Sequence, residues 1–198
     1  MNNDYNLIID RLFNEVSDNY NILLLIQNEI DILDNFSHII KKKNINIYII
    51  ITDKYIHNKL LENIKGEECE SNINIINDLS EIKDIIFDII NIFHLLSIDY
   101  LDNIMNNIKI MINTNTLIYI YCSLSNENIK KINFKNYLRN KIKNYTKNIF
   151  GILLPLTNVI ENIEQNNFTI NSLKIYKSKN YIIYGDNNVY EIKCVYIF

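Results

Sequence analysis

Five short runs of this chain are apolar along almost their whole length, with stretches of helical periodicity between them. The runs are Ile22–Ile26, Ile45–Thr52, Ile73–Ile76, Ile85–Phe93 and Thr116–Tyr121. A half-exposed strand alternates apolar with polar residues, whereas a strand apolar throughout is covered on both faces. Such strands alternating with helices predict a parallel sheet between two helical layers, joined by right-handed crossovers.

The intervening stretches fit that layout. Leu7, Ile8, Leu12, Phe13 and Val16 recur at helical spacing within Asp4–Asp18. Ile30–Lys42 places Ile32, Leu33, Phe36, Ile39 and Ile40 on one face and ends in Lys41-Lys42-Lys43, which suits a helix C-terminus. Lys54–Ile64 is expected to be a helix stopping near Gly66. Ile98–Met111 carries Leu101, Ile104, Met105 and Ile108 in register. The last third differs. Ile129–Tyr145 is basic and amphipathic, and Pro155–Gln165 suits a helix with proline in its first turn. Phe168–Tyr176 and Val189–Phe198 read as strands flanking a polar turn at Gly185, hence a terminal antiparallel pair.

With 198 residues, 48% of them hydrophobic, the chain has enough apolar material for one substantial core. The expected organisation is a single domain, 1–198. It comprises an N-terminal helix (1–18), parallel βα units (19–125), and helices plus the terminal strand pair (126–198). The net charge of -3 gives no basic signal for nucleic acid. Cys69, Cys122 and Cys194 are scattered, with no CxxC pair and no zinc spacing. A reduced, cytoplasmic protein is the expectation. The acidic N-terminus does not read as a secretory signal, and no apolar run is long enough for a membrane span.

The order of these elements resembles the class I S-adenosylmethionine-dependent methyltransferases, a Rossmann-like superfamily. The resemblance spans about Asp18 to Phe198. Its strongest piece is Phe87-Asp88-Ile89-Ile90 followed by His94-Leu95-Leu96, similar to the fourth-strand segment of that family. Ile110–Tyr121 looks like the next segment, with Asn113-Thr114-Asn115 where members carry a Pro-Gly-Gly type turn. Asn166-Asn167-Phe168 resembles the family's "GF" entry into the sixth strand, without its glycine. The resemblance implies a three-layer fold with a mostly parallel seven-stranded sheet and an antiparallel C-terminal strand. It also implies two cofactor-binding acids. Asp53 would hold the ribose hydroxyls after the second strand, and Asp78 would face the adenine amino group after the third.

One departure decides the functional expectation. The family places a glycine-rich loop after the first strand, where the backbone must approach the cofactor. Here the loop reads Gln27-Asn28-Glu29-Ile30, and the chain's three glycines lie elsewhere, at 66, 151 and 185. The expectation is a degenerate, non-catalytic methyltransferase-like module that binds a protein partner in a complex. No cofactor is the preferred reading and S-adenosylmethionine the alternative; an active, divergent methyltransferase is the competing function.

Each candidate residue has a plainer role beside the chemical one. Asp53 and Asp78 suit helix N-caps. His94 suits a structural histidine more than a base for a methyl acceptor. Cys122, at a strand end with no base beside it, suits a small core residue. The tyrosines of the C-terminal half, Tyr119, Tyr121, Tyr176, Tyr181, Tyr184, Tyr190 and Tyr196, suit strand positions more than a stacking platform. The abundance of asparagine reads as compositional bias and carries no structural weight.

Overall fold

The computed structural model describes residues 14–26, 44–51, 54–65, 70–93, 98–122, 124–125, 154–177 and 188–197. The first-strand loop at 27–30, the helix expected over Ile30–Lys42, Asp53, His94 and the basic stretch Ile129–Tyr145 lie outside them, as does most of the N-terminal helix.

The strands are β1 (Asn21–Ile26), β2 (Asn46–Ile51), β3 (Ile73–Ile76), β4 (Ile89–Phe93), β5 (Leu117–Cys122), β6 (Leu124–Ser125), β7 (Leu154–Pro155), β8 (Phe168–Lys177) and β9 (Asn188–Tyr196). The helices are α1 (Lys54–Ile64), α2 (Ile98–Ile108) and α3 (Leu156–Gln165). Seven strands form one sheet in the order β3-β2-β1-β4-β5-β9-β8. β1 through β5 pair in parallel, while β9 runs antiparallel to both β5 and β8. β6 and β7 form a separate short parallel pair. The expected sheet is therefore present, with its one reversed strand inserted next to last.

Alternation along each strand divides the core in two. One face sends Leu23, Leu25, Ile90, Ile92, Ile118 and Ile120 against Leu101, Ile104, Met105 and Ile108 of α2 and Val159 and Ile163 of α3. The other sends Ile22, Leu24, Ile47, Ile49, Ile89, Phe93, Tyr119 and Tyr121 toward Val16 and toward Leu60 of α1. The continuous apolar runs thus serve a sheet buried on both sides.

Two expected boundaries move. The apolar run at Ile85 does not enter the sheet until Ile89. Before that point its backbone is committed elsewhere. Ile85 N–H closes a turn on the Ile82 carbonyl at 3.0 Å, and Phe87 N–H donates to the Met111 carbonyl at 2.9 Å. The Asp88 carboxylate accepts from the Asn21 N–H at 2.9 Å, tying the entrance of β4 to that of β1. The helix expected to reach Met111 ends as α2 at Ile108 and tightens into a 3-10 turn over Lys109–Met111.

Asparagine does much of the turning in this glycine-poor chain. Asn19, Asn44 and Asn167 adopt φ of 63°, 47° and 64°, the left-handed region that glycine usually fills. Asn167 ends α3 in the manner of a C-terminal glycine cap, its N–H donating to the Glu164 carbonyl at 3.0 Å. Asn19 and Asn44, before β1 and β2, are joined side chain to side chain at 2.8 Å. At Asn113-Thr114-Asn115 the chain makes a side-chain turn: Asn115 N–H donates to Asn113 Oδ1 at 2.8 Å. Thr116 then anchors the strand entrance, its hydroxyl donating to the Phe87 carbonyl at 2.7 Å.

Candidate functional site

In open α/β sheets, ligands collect outside the carboxyl ends of the strands, where the strand order reverses. Here that point lies between β1 and β4, because the chain builds β1-β2-β3 in one direction and then returns to β4 on the other side of β1. The described residues form a cleft of about 330 Å³ beside it. Leu25 and Ile50, next to last in β1 and β2, form its floor and are nearly closed off from solvent. Asn77, Asp78, Ser80 and Lys83 form one wall after β3; Tyr100, Asn103, Ile104 and Asn107 of α2 form the other.

Asp78 lies in this cleft, and its local role is a cap. Its backbone is extended, with φ -146° and ψ 151°, and it opens the 3-10 turn Leu79–Ile82. Asp78 Oδ1 accepts from the Ser80 N–H at 2.7 Å. That backbone bond, then the Ser80 hydroxyl, holds the Asp78 carboxyl below its ordinary value against a small opposing effect of burial. Glu81 reinforces the turn by accepting from the Asn77 N–H at 3.2 Å. The capping role expected as the plainer one is therefore present, on a fully exposed side chain.

Among the described residues, no other expected candidate lines the cleft. Asp53 and His94 lie outside the described residues, and so does the Cys122 side chain. Tyr119 and Tyr121 are buried in the core, 5% and 3% exposed, which withdraws them from any stacking surface. Tyr196 packs edge-on against Phe168 with ring centroids 4.9 Å apart. Among the described residues no group of three metal-ligating side chains occurs. Among them, too, no helix is long and apolar enough to cross a membrane.

The α2 wall was missed in the sequence. Its signal is the spacing of Asn103 and Asn107, one helical turn apart and both exposed. Asn107 Nδ2 donates to Asn103 Oδ1 at 2.9 Å and to the Asn103 carbonyl at 2.8 Å.

No family model and no curated protein matches the sequence. Solved structures do match the fold. The cyclopropane synthase MmaA2 from Mycobacterium tuberculosis aligns at a TM-score of 0.70 and 9% identity, covering 96% of this chain and 83% of that one. A SAM-dependent methyltransferase from Methanosarcina mazei aligns at 0.63 and 8%, over 95% of this chain and 97% of that one. TYW2 from M. jannaschii, solved in complex with AdoMet, aligns at 0.58 and 14%, over 100% and 78%. With the sheet order, the reversed strand and the cleft beside the switch point, these likenesses establish that the chain has the fold of the class I S-adenosylmethionine-dependent methyltransferases.

Proposed function

We propose that residues 1–198 form a single methyltransferase-like domain that acts as a binding or regulatory module within a complex and does not itself transfer methyl groups. The observation that carries this reading is the sequence that follows β1. The strand ends at Ile26 and runs on as Gln27-Asn28-Glu29-Ile30. None of these residues is glycine, whereas the methyltransferases that the sequence resembles carry a glycine-rich segment after the first strand. The chain therefore fits the methionine end of the cofactor poorly. At the adenosine end, Asp78 already spends one carboxylate oxygen on its own turn.

Titration calorimetry of the full chain with S-adenosylmethionine and S-adenosylhomocysteine tests the proposal. The expected result is no heat of binding at millimolar ligand from a folded sample. Micromolar binding would overturn it.

The second reading is an active, divergent S-adenosylmethionine-dependent methyltransferase. What favours it is the cleft itself, of a size for a small ligand and adjoining Asp78 at the ends of β1 and β2. Asp53 and Asp78 would then hold the ribose and adenine. On that reading Asp53→Ala weakens cofactor binding about tenfold or more, the scale of lost charge-assisted hydrogen bonds.

A further inference from the structure

The net charge of -3 conceals a division. Residues 1–125 hold nine lysines and arginines against eighteen acids, net -9, and residues 126–198 hold eleven against five, net +6. From Lys130 to Lys147 stand seven cations and no acid. A run of one sign repels itself and attracts a partner of the other sign.

The strand directions gather this charge at one end of the molecule. β5 leaves the sheet at its carboxyl end, and the chain passes through β6 into residues 126–153. It returns in β7, which pairs with β6 as Leu124 with Leu154 and Ser125 with Pro155. The basic run therefore departs from and comes back to one point, beside the end of β5. β9 is antiparallel to both β5 and β8, so β8 ends and β9 begins at that same end. The connection between them, residues 178–187, follows Lys177 and carries Lys179, Tyr181 and Tyr184. Acids gather elsewhere: Asp78, Glu81 and Asp84 are exposed on the crossover that follows β3, the opposite edge strand.

Residue types narrow the partner. Phe134, Tyr137 and Tyr145 lie among the seven cations, and Tyr181 and Tyr184 follow Lys179. Cations neutralise phosphates while aromatic rings stack on unpaired bases, the combination that holds single strands. Asn133, Asn136, Asn140 and Asn144 recur through the run. Their amides are costly to bury in lipid and suit hydrogen bonding to bases and sugars.

We propose that this end of the sheet, with residues 130–147 and 177–184 rooted on it, binds single-stranded nucleic acid. Such binding goes beyond the module reading and holds whether or not S-adenosylmethionine binds.

The test titrates the full chain into a fluorescent single-stranded RNA of mixed sequence and about 20 nucleotides, at about 0.1 M salt, read by anisotropy. The expected result is saturable binding that weakens at least about tenfold when the salt is doubled. Polyglutamate of equal charge should bind at least about fivefold more weakly, because it offers no bases to stack. Lys141→Gln with Lys143→Gln should weaken RNA binding at least about fivefold, and Lys130→Gln with Lys131→Gln is a second pair with the same expectation. Lys42→Gln with Lys43→Gln, shortly before β2 and so at the other end of the sheet, should change it less than about twofold. Urea midpoints equal to that of the wild-type chain separate lost binding from lost folding. No binding of the RNA, equal weakening by the pairs at the two ends, or polyglutamate bound as tightly as RNA would overturn the proposal. Association with phosphatidylserine vesicles but not with RNA would also overturn it and identify a membrane-surface segment.

Discussion

On the side of α2 and α3 the central strands present Leu23, Leu25, Ile90, Ile92, Ile118 and Ile120, all aliphatic. On the opposite side β1 presents Ile22 and Leu24, β4 and β5 present Ile89, Asn91, Phe93, Tyr119 and Tyr121, and β9 adds Glu191 and Lys193 in register with the two tyrosines. The first face is held by close packing. The second packs Ile22, Leu24, Ile47, Ile49 and Ile89 in the same way and adds directed contacts around β4, β5 and β9. Phe93 and Tyr121 stack with centroids 5.0 Å apart. The Lys193 ammonium lies 5.2 Å from the Tyr119 ring centre and 3.6 Å from Glu15 Oε2, while the Tyr119 hydroxyl donates to the same Glu15 carboxylate. Buried Glu191 faces Lys174 at 4.0 Å. A one-residue slip of β5 or β9 would drive these polar groups into the aliphatic side. The polar groups of the second face thus help to set register, while apolar packing fills both faces.

Substitutions can break this contrast, and the largest effect belongs to the aliphatic face. Leu101→Ala, at a fully buried position of α2, should cost about 2–5 kcal/mol in urea unfolding. A loss below about 1 kcal/mol would mean that this face is not the packed one. On the other face, Asn91 is fully buried in β4, and among the described residues neither its Nδ2 nor its Oδ1 has a hydrogen-bond partner. Asn91→Leu should therefore gain about 1–3 kcal/mol, the penalty of a buried unsatisfied polar group. A destabilised variant would show that the amide is engaged after all. Tyr119→Phe removes the bond to Glu15 and should cost about 1 kcal/mol, with a smaller effect in high salt.

Two smaller effects sharpen the picture. Cys194, on the aliphatic face, is buried, and desolvation pushes its thiol from 9.0 up to about 12. Because the folded state holds the proton more tightly, this contribution to stability is full below pH 9 and fades as pH rises toward 12. At about pH 8 the Cys194 peptide should resist alkylation until the protein is unfolded, as mass mapping would show; rapid native labelling would refute a dry face. Asp78 has the opposite sign. Its lowered carboxyl stabilises above the ordinary value of 3.8 and loses that effect as pH falls below it. The difference in urea midpoint between the wild-type chain and Asp78→Ala should be present at about pH 7 and shrink as pH falls below 3.8.

The parts that could be read from the sequence are those where local pattern and tertiary demand agree. Ile22–Ile26 could be little other than a doubly covered strand, and Leu101, Ile104, Met105 and Ile108 share one helical stripe that the sheet buries. The Ile85–Phe93 run misleads because apolar residues signal burial but do not distinguish a strand from a buried crossover; only the bonds to Ile82 and Met111 tell them apart. Asparagine looks like compositional bias in the sequence, yet Asn19, Asn44 and Asn167 occupy left-handed positions. The site was the least legible part. Asp78 could be located, but its capping role and its chemical role look alike in sequence. The cleft gathers Leu25, Ile50, Asp78 with its neighbours Asn77 and Ser80, and Asn103 from distant parts of the chain.

The placement of β9 between β5 and β8 also bears on how the protein is made. As the nascent chain leaves the ribosome, β1 through β5 can assemble in order, but β5 then has no neighbour on its outer side. The backbone N–H and C=O groups on that side of Ile118–Cys122 would stay unpaired while α3 and β8 are translated, because the strand that pairs with them comes after both. An open strand edge during synthesis is a condition under which nascent chains associate with one another or engage chaperones.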